Sequence, residues 1–291
     1  PEHHREGSVK QRLPLKSGWL LVPAFMVFIL LLIVPMANVV EESFRLFVPG
    51  RVGSTKDAPY TLYNYVELLN WTYVRYFLET FRIGLIASVI ALIIAFPIAY
   101  LVARFPVEWV RNLMLGFLVT MMFLSSVVRV YAMELTFGPV GLMKPISRLL
   151  GMRANSPEFA EMLVVAGLLH YVIPVSALIL VGTVQNINPR WVEAAQSLGA
   201  PRWKAHLGIT IPLSVRGILS AFVICYTLNI SAFVVPLILG KGRITFVSNL
   251  IYNRFSEIAN YPSGSAMSLV MLLCSLVLVY GVSRLLSRYS E

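Results

Sequence analysis

Side chains that could carry out chemistry are scarce in this chain, and they form no catalytic or metal-binding pattern. Asp57 is the only aspartate, and Cys225 and Cys274 lie in separate apolar runs, where a thiol usually acts as a small buried hydrophobic group. The sequence has no H-E-x-x-H zinc motif, no G-x-S-x-G nucleophile motif and no G-x-x-x-x-G-K-[ST] phosphate loop. We therefore expect no catalytic residue, no metal site and no cofactor bound by this chain.

Four polar side chains in or near apolar runs are candidates for contact with a solute, namely Tyr131, Glu134, Tyr226 and Asn229. A carboxylate beside an aromatic ring suits an organic cation, because the ring face attracts positive charge. Arg129 lies five residues before Glu134 and could neutralise that carboxylate. The group that ends with Glu134 could equally anchor its helix at the lipid headgroups, and Tyr226 and Asn229 could equally bond neighbouring helices.

The segment 185–213 is polar enough to leave a membrane and patterned enough to fold. Asn188 can cap a helix and Pro189 suits its first position, while Gly199 is well placed to end it. A second short helix is predicted over 202–207. The first helix has one apolar face, formed by residues at helical spacing: Trp191, Val192, Ala195 and Leu198.

The composition shows which environment these segments occupy. Of the 291 residues, 57% are hydrophobic and 13% are charged, whereas soluble proteins carry about 25% charged residues. A membrane-spanning helix needs about 20 apolar residues, and barrel strands would alternate apolar and polar positions, which these runs do not. The chain is therefore predicted to be an all-α membrane protein with six transmembrane helices, at 19–40, 83–103, 112–128, 162–189, 217–240 and 258–283.

Basic residues indicate the orientation of these spans. With six spans both termini lie on one side, together with 102–111 and 185–216, and this side is richer in Lys and Arg per residue than the other. The positive-inside rule therefore places both termini in the cytoplasm. The net charge of +10 does not indicate nucleic acid binding, because the basic residues are scattered between the spans.

Two further patterns concern the shape of the spans and the outer surface. Residues 244–258 have the apolar stripe of an amphipathic helix that would rest on the membrane or on neighbouring spans. Prolines lie within several predicted spans, among them Pro97, Pro174 and Pro236. Prolines free backbone groups and permit kinks, so these positions are candidate hinges, with a static kink as the alternative.

The segment 185–213 resembles the EAA loop of bacterial ABC importer permeases. The residues that carry the resemblance are Glu193-Ala194-Ala195, then Gly199, then Ile209-Thr210-Ile211-Pro212. The family pattern is E-A-A-x3-G-x9-I-x-L-P, and Ile211 in place of leucine is the one departure. The motif also has the position that the family gives it, between the fourth and fifth of six spans.

Further segments resemble the spermidine/putrescine, or polyamine-type, branch of these permeases. They are the stretch from Ser125 to Tyr131, the loop from Gly138 to Gly151, the run from Phe233 to Gly240, and Tyr261-Pro262-x-Gly264-x-Ala266. Members of this branch handle polyamines, opines, other small amines and unrelated solutes. The resemblance therefore implies a small organic solute, a polyamine or a related amine or opine.

The resemblance also implies a type I ABC importer permease architecture, with 1–291 as a single transmembrane domain that contains the 185–213 coupling loop. The implied partners are two ATPase subunits that carry ATP and Mg²⁺, a second and different permease subunit, a periplasmic or extracellular solute-binding protein, and membrane lipid, in the bacterial cytoplasmic membrane. The residues implied to contact the ATPase are Glu193, Ala194, Ala195, Gly199, Ala200, Pro201 and Arg202. The chain itself would then not be an enzyme.

A secondary transporter or a channel subunit is the alternative class. Such proteins typically carry ionisable residues deep in their spans, or internal repeats, and neither is clear in this sequence. A neighbouring gene for an ATPase and another for a secreted binding protein would favour the importer.

Overall fold

A computed structural model describes residues 22–50, 53–54, 58–138, 141–142 and 156–287. Both termini, Asp57 and most of the loop from Gly138 to Gly151 lie outside the described residues. Within them the chain is helical, apart from turns, loops and an isolated bridge between Arg45 and Tyr60. The helices are α1 (Val22–Phe28, Ile29–Ile33 and Val34–Ser43 in series), α2 (Tyr63–Leu68), α3 (Trp71–Arg104), α4 (Glu108–Phe123), α5 (Ser126–Phe137), α6 (Pro157–Gln185), α7 (Arg190–Ser197), α8 (Arg202–Ile230), α9 (Val234–Leu239), α10 (Val247–Tyr252, continued by Asn253–Glu257) and α11 (Tyr261–Ser287).

Six membrane spans can be assigned in the part of the chain that the structure describes. Helices α1, α3, α6, α8 and α11 are each long and apolar enough to cross a membrane, and α4 with α5 makes the sixth as one bent span. The predicted all-α membrane fold is confirmed. Spans α3 and α6 begin earlier than predicted because capping side chains start them: Asn70 accepts a hydrogen bond from Thr72 N, and Ser156 accepts one from Phe159 N.

The contact of α3 with α6 and α8 forms the centre of the protein. One face of α3 carries a small or branched apolar residue at every fourth position, and these side chains are fully buried: Ile83, Ala87, Ala91, Ala95 and Ala99. Residues four apart share one helix face. Small side chains on that face let membrane helices approach closely, so packing holds them together where lipid offers no hydrophobic driving force.

The third predicted span, 112–128, is wrong as a continuous helix. Its apolar run is divided at residues 124–125, here called the first break, where α4 and α5 meet at 92°. The break is stabilised by Arg129, whose Nη2 donates to Met121 O at 2.8 Å and to Leu124 O at 2.6 Å. In lipid every freed carbonyl must find a donor inside the protein, and this guanidinium supplies it.

The fifth predicted span, 217–240, is divided in the same way. Helix α8 ends at Ile230 and α9 begins at Val234, and residues 231–233 form the second break. Here the donors come from α10: Ser248 Oγ donates to Ala232 O at 2.7 Å, and Asn249 Nδ2 donates to Phe233 O at 3.0 Å. Of the prolines named as hinge positions, Pro97 and Pro174 occur inside the continuous helices α3 and α6, and Pro236 lies in α9, just after the second break.

The separate short helix predicted over 202–207 is also wrong. Arg202 begins a helix that continues into the membrane as α8, through a wider π-helical turn at His206–Thr210. Pro212, which follows this turn, has no N–H to donate, and its ring conflicts with the carbonyl four residues earlier, so the turn before it widens. Pro35 follows the π-helical turn Ile29–Ile33 in α1 with the same spacing.

The amphipathic helix predicted over 244–258 is confirmed as α10 and its continuation. It packs on neighbouring spans: Phe246 and Val247 are fully buried, and Val247 N donates to Thr80 Oγ1 on α3 at 3.1 Å. Its polar side reaches α2 through an ion pair between Arg254 and Glu67 at 3.0 Å. This outer layer therefore ties the second break to α2 and α3.

Candidate functional site

The first candidate site is the segment from Asn188 to Trp203, here called the knuckle. Asn188 Oδ1 accepts a hydrogen bond from Arg190 N at 3.0 Å at the start of α7. At its end, Gly199 has φ +91°, and Gly199 N and Ala200 N bond back to the carbonyls of Gln196 and Ala195. This pair of bonds is a Schellman motif, so the prediction that Gly199 ends the helix is confirmed.

Most of the knuckle is exposed. Within α7, the Val192 side chain is buried and Ala195 is partly buried. Trp191, Leu198 and Trp203 are 61%, 90% and 61% exposed. The apolar residues of α7 share one side of the helix as predicted, but the spans bury only Val192 and leave Trp191 and Leu198 uncovered. The described chain leaves these large apolar side chains uncovered.

The predicted coupling residues lie together on the knuckle. Glu193 lies in the first turn of α7, where a carboxylate complements the helix dipole. Among them the exposed residues are Glu193, Ala194, Gly199, Pro201 and Arg202, and the partly buried residues are Ala195 and Ala200. The structure brings all seven within one short surface segment.

Two side chains hold the segments on either side of the knuckle against α3. The Arg104 guanidinium, at the end of α3, donates to Val184 O, in the last turn of α6, at 2.8 Å. It also donates to Ile187 O, in the link between α6 and α7. The His206 ring packs edge-on against Tyr100 of α3, with ring centroids 4.7 Å apart. A cavity of about 310 Å³ separates Arg104 from the underside of α7.

The second candidate site is a cavity of about 420 Å³ between the two breaks, here called the break cavity. Residues of the first break, of α6 and of the second break line it, among them Leu124, Ser126, Gly167, Tyr171 and Phe233. Broken helices at a shared cavity expose helix ends and backbone groups in the middle of a membrane protein, which is how many transporters build their solute sites.

Arg129 is the only charged side chain among the described residues that line the break cavity. Arg129 is 4% exposed, which favours a role in lining the cavity over a role in anchoring its helix at the lipid headgroups. Its guanidinium lies over the Tyr171 ring, 5.4 Å from the centroid. Its Nε and Nη1 have no hydrogen-bond partner in the described structure.

Of the four residues predicted to contact a solute, Asn229 lines the break cavity. It is fully buried, and its Nδ2 donates to Ser88 Oγ on α3 at 2.9 Å. Ser88 in turn donates to Gly84 O at 2.7 Å, so Asn229 presents its amide nitrogen to Ser88 and leaves Oδ1 unpartnered. Tyr226, one turn earlier, is buried; its ring stacks on Phe222 of the same helix and approaches Gly84 of α3.

Tyr131 and Glu134 do not line the break cavity. Tyr131 is 53% exposed on α5. Glu134 forms an ion pair with Lys241, which follows the second break in sequence. Lys241, and not Arg129, neutralises this carboxylate.

Three residues that build these sites carry no sequence signal of their own. Arg104 and Ser88 act through partners that are about 80 and 141 residues away in sequence. In the sequence, nothing distinguishes Tyr171 from the other residues of an apolar run, yet its ring faces the guanidinium of Arg129. Their roles depend on tertiary contacts.

A helical protein with six spans, two of them broken at one cavity, and with an exposed helix outside the spans has the construction of a membrane transport subunit. The chain belongs to the family of binding-protein-dependent transport system inner membrane components, which residues 95–290 match. It is thus a permease subunit of a binding-protein-dependent ABC importer, and the secondary transporter or channel alternative is set aside.

Similar proteins of known name are permeases. The spermidine/putrescine transport system permease protein PotB of Haemophilus influenzae is 28% identical over 238 residues, which cover 80% of this chain and 83% of that protein. PotB of Escherichia coli is 27% identical and covers 80% and 86%. The inner membrane ABC transporter permease protein YdcU of Escherichia coli is 23% identical over 77% and 76%. The predicted resemblance to the polyamine-type branch is confirmed.

The fold is also shared with solved structures. A chain of a bacterial ABC transporter involved in the import of the acidic polysaccharide alginate superposes with a TM-score of 0.75 at 18% identity, over 95% of this chain and 98% of that chain. The alginate transporter in complex with a periplasmic protein that binds an alginate pentasaccharide gives a TM-score of 0.74. At this identity the likeness describes the fold.

Proposed function

We propose that this permease forms half of the translocation path for a small organic solute, a polyamine or a related amine or opine, and that ATP hydrolysis on separate subunits drives the transport. The break cavity is the observation that carries the proposal. It lies between two broken spans, and its volume of about 420 Å³ is within the range of small-molecule sites. The relatives named for spermidine and putrescine support the solute class.

The knuckle would be the contact with an ATPase. Trp191, Leu198 and Trp203 present apolar surface that a partner would cover. The side chains of Ala194 and Ala195 are small, so another chain can approach the backbone of α7 closely between the bulky residues. The carboxylate of Glu193 is exposed and would pair with a cation of the ATPase.

The complete importer would contain two ATPase subunits, this permease, a second and different permease subunit, and a solute-binding protein outside the membrane. ATP and Mg²⁺ would bind to the ATPase subunits and not to this chain. The knuckle and both termini would face the cytoplasm, and α10 the opposite side. The bias of Lys and Arg toward the side that carries the knuckle supports this orientation.

The proposal is tested by purifying the tagged permease from its native membranes and identifying the proteins that accompany it. We expect an ATPase, and we expect ATP-dependent uptake of labelled putrescine by the reconstituted complex together with its binding protein. Leu198→Glu should reduce recovery of the ATPase at least tenfold, since it places a charge in the centre of the contact. Leu69→Glu is the matched control, because Leu69 is also highly exposed but lies away from the knuckle.

Two results would contradict the proposal. One is equal recovery of the ATPase with both variants, which would remove the knuckle from the contact. The other is uptake that continues without ATP, which would show that ATP hydrolysis does not drive the transport.

A further inference from the structure

The break cavity has one wall that suits a negatively charged group. Arg129 is nine-tenths buried or more and lines this cavity, and two of its nitrogen atoms have no partner. Its third nitrogen, Nη2, is already used to hold the first break through Met121 O and Leu124 O. A buried guanidinium with unused donors is unfavourable unless an acceptor reaches it, and carboxylates are its preferred acceptors.

A second wall offers an acceptor. Asn229 Oδ1 is buried without a partner, and the bond from Asn229 Nδ2 to Ser88 prevents the amide from turning around. Asn229 lies in the last turn of α8, where the negative end of the helix dipole favours a cation. Carbonyl oxygens and half-helix ends of this kind hold cationic groups in other transporters.

The charges of the two walls do not suit a solute that is positively charged at both ends. The lining residues that the structure describes provide one positive charge and no negative one. A diamine would place one ammonium group beside Arg129, with no carboxylate to offset the repulsion. A solute with a carboxylate at one end and an amine at the other would meet a complementary group at each wall.

We propose that the break cavity binds an amine that also carries a carboxylate, with the carboxylate at Arg129 and the ammonium group at Asn229 Oδ1. This inference rests on the proposed function and selects the amino-acid-like or opine-like members of its solute class over polyamines. Both groups have little exposure in this conformation. Binding therefore requires the two breaks to separate, as alternating access would make them do.

The test compares two probes with four carbon atoms each, putrescine and 4-aminobutanoate, in which a carboxylate takes the place of one terminal aminomethyl group. The assembly of permease and ATPase subunits is purified from its native cells into lipid nanodiscs, without the binding protein, and the dissociation constant of each probe is measured by saturation-transfer NMR. We expect 4-aminobutanoate to bind at least tenfold more tightly than putrescine. Arg129→Gln should remove this preference, and Asn229→Asp should shift it toward putrescine by adding a negative charge to the cavity.

Arg75→Gln is the matched control, because Arg75 is 71% exposed, pairs with Glu79 at 2.9 Å and lies away from the cavity. It should leave the preference unchanged. Should Arg129→Gln fail to assemble because the first break is lost, the wild-type preference and the Asn229→Asp shift decide the matter. Equal binding of the two probes by the wild type, a preference for putrescine, or a preference that survives Arg129→Gln overturns the inference. ATP-dependent uptake of putrescine with no preference for 4-aminobutanoate would overturn it and leave the proposed function intact.

Discussion

Replacing Gly199 by valine should uncouple transport without unfolding the spans. Gly199 has φ +91°, in the region where an L-residue with a side chain is strained by about 1–2 kcal/mol. A Cβ at this position would meet no atom within 4 Å, so the whole effect comes from the backbone and none from a clash. The bonds at risk are those from Gly199 N and Ala200 N, which close α7.

The size of the effect follows from the length of α7. Its eight residues make little more than two turns, and helices this short are not stable in water without tertiary support. A strain of 1–2 kcal/mol corresponds to a factor of roughly 5–30 in the population of the closed knuckle. We expect ATPase docking and uptake to fall by about that factor, with normal insertion into the membrane.

The assay is co-purification of the ATPase and ATP-dependent uptake in vesicles, with the amount of permease in the membrane measured in parallel. Gly199→Asn should restore most of the activity, because asparagine tolerates a positive φ. Gly208→Val is the matched control: Gly208 also has open space around its Cβ position, but it lies in a helical turn with negative φ. Wild-type docking by Gly199→Val, or equal damage by valine and asparagine, would falsify the backbone argument.

Three other perturbations have defined outcomes. Ala195→Glu should abolish uptake while the permease still reaches the membrane, because the partly buried alanine sits where a partner must approach; wild-type uptake would contradict this. Arg104→Gln should lower the thermal stability of the purified permease by about 1.5–3 kcal/mol, through loss of charged bonds to the end of α6, and an unchanged Tm would exclude that role. In a variant without native cysteines, a cysteine at position 257 should react with an impermeant reagent in intact cells, whereas a cysteine at position 193 should react only in inverted membrane vesicles, and the reverse pattern would refute the orientation.

Local sequence signals predicted the knuckle well. The Asn188 cap, the end of α7 and the positive φ of Gly199 all depend on residues within a few positions of one another. Capping and turn formation are local properties, so spacing alone is enough to identify them. What the apolar pattern of α7 did not indicate is that Trp191 and Leu198 would remain exposed in the isolated chain.

The breaks were not predictable from the sequence. The residues at 124–125 and 231–233 include neither glycine nor proline, and apolar residues continue on both sides, so a hydropathy pattern reports one span in each case. What permits each break is a donor from elsewhere: Arg129 for the first, and Ser248 and Asn249 for the second. Conversely, Pro97 lies inside α3 without ending it.

Helix α6 connects the two sites. Gly167 and Tyr171 in its first half line the break cavity. Val184 O, in its last turn, accepts a hydrogen bond from the Arg104 guanidinium. From Tyr171 to Gln185 the helix is continuous, a distance of about 21 Å at 1.5 Å per residue. It packs against the alanine face of α3. A displacement of the knuckle would therefore be carried along α6 toward Tyr171. Because Tyr171 covers the guanidinium that holds the first break, that movement would act directly on the cavity.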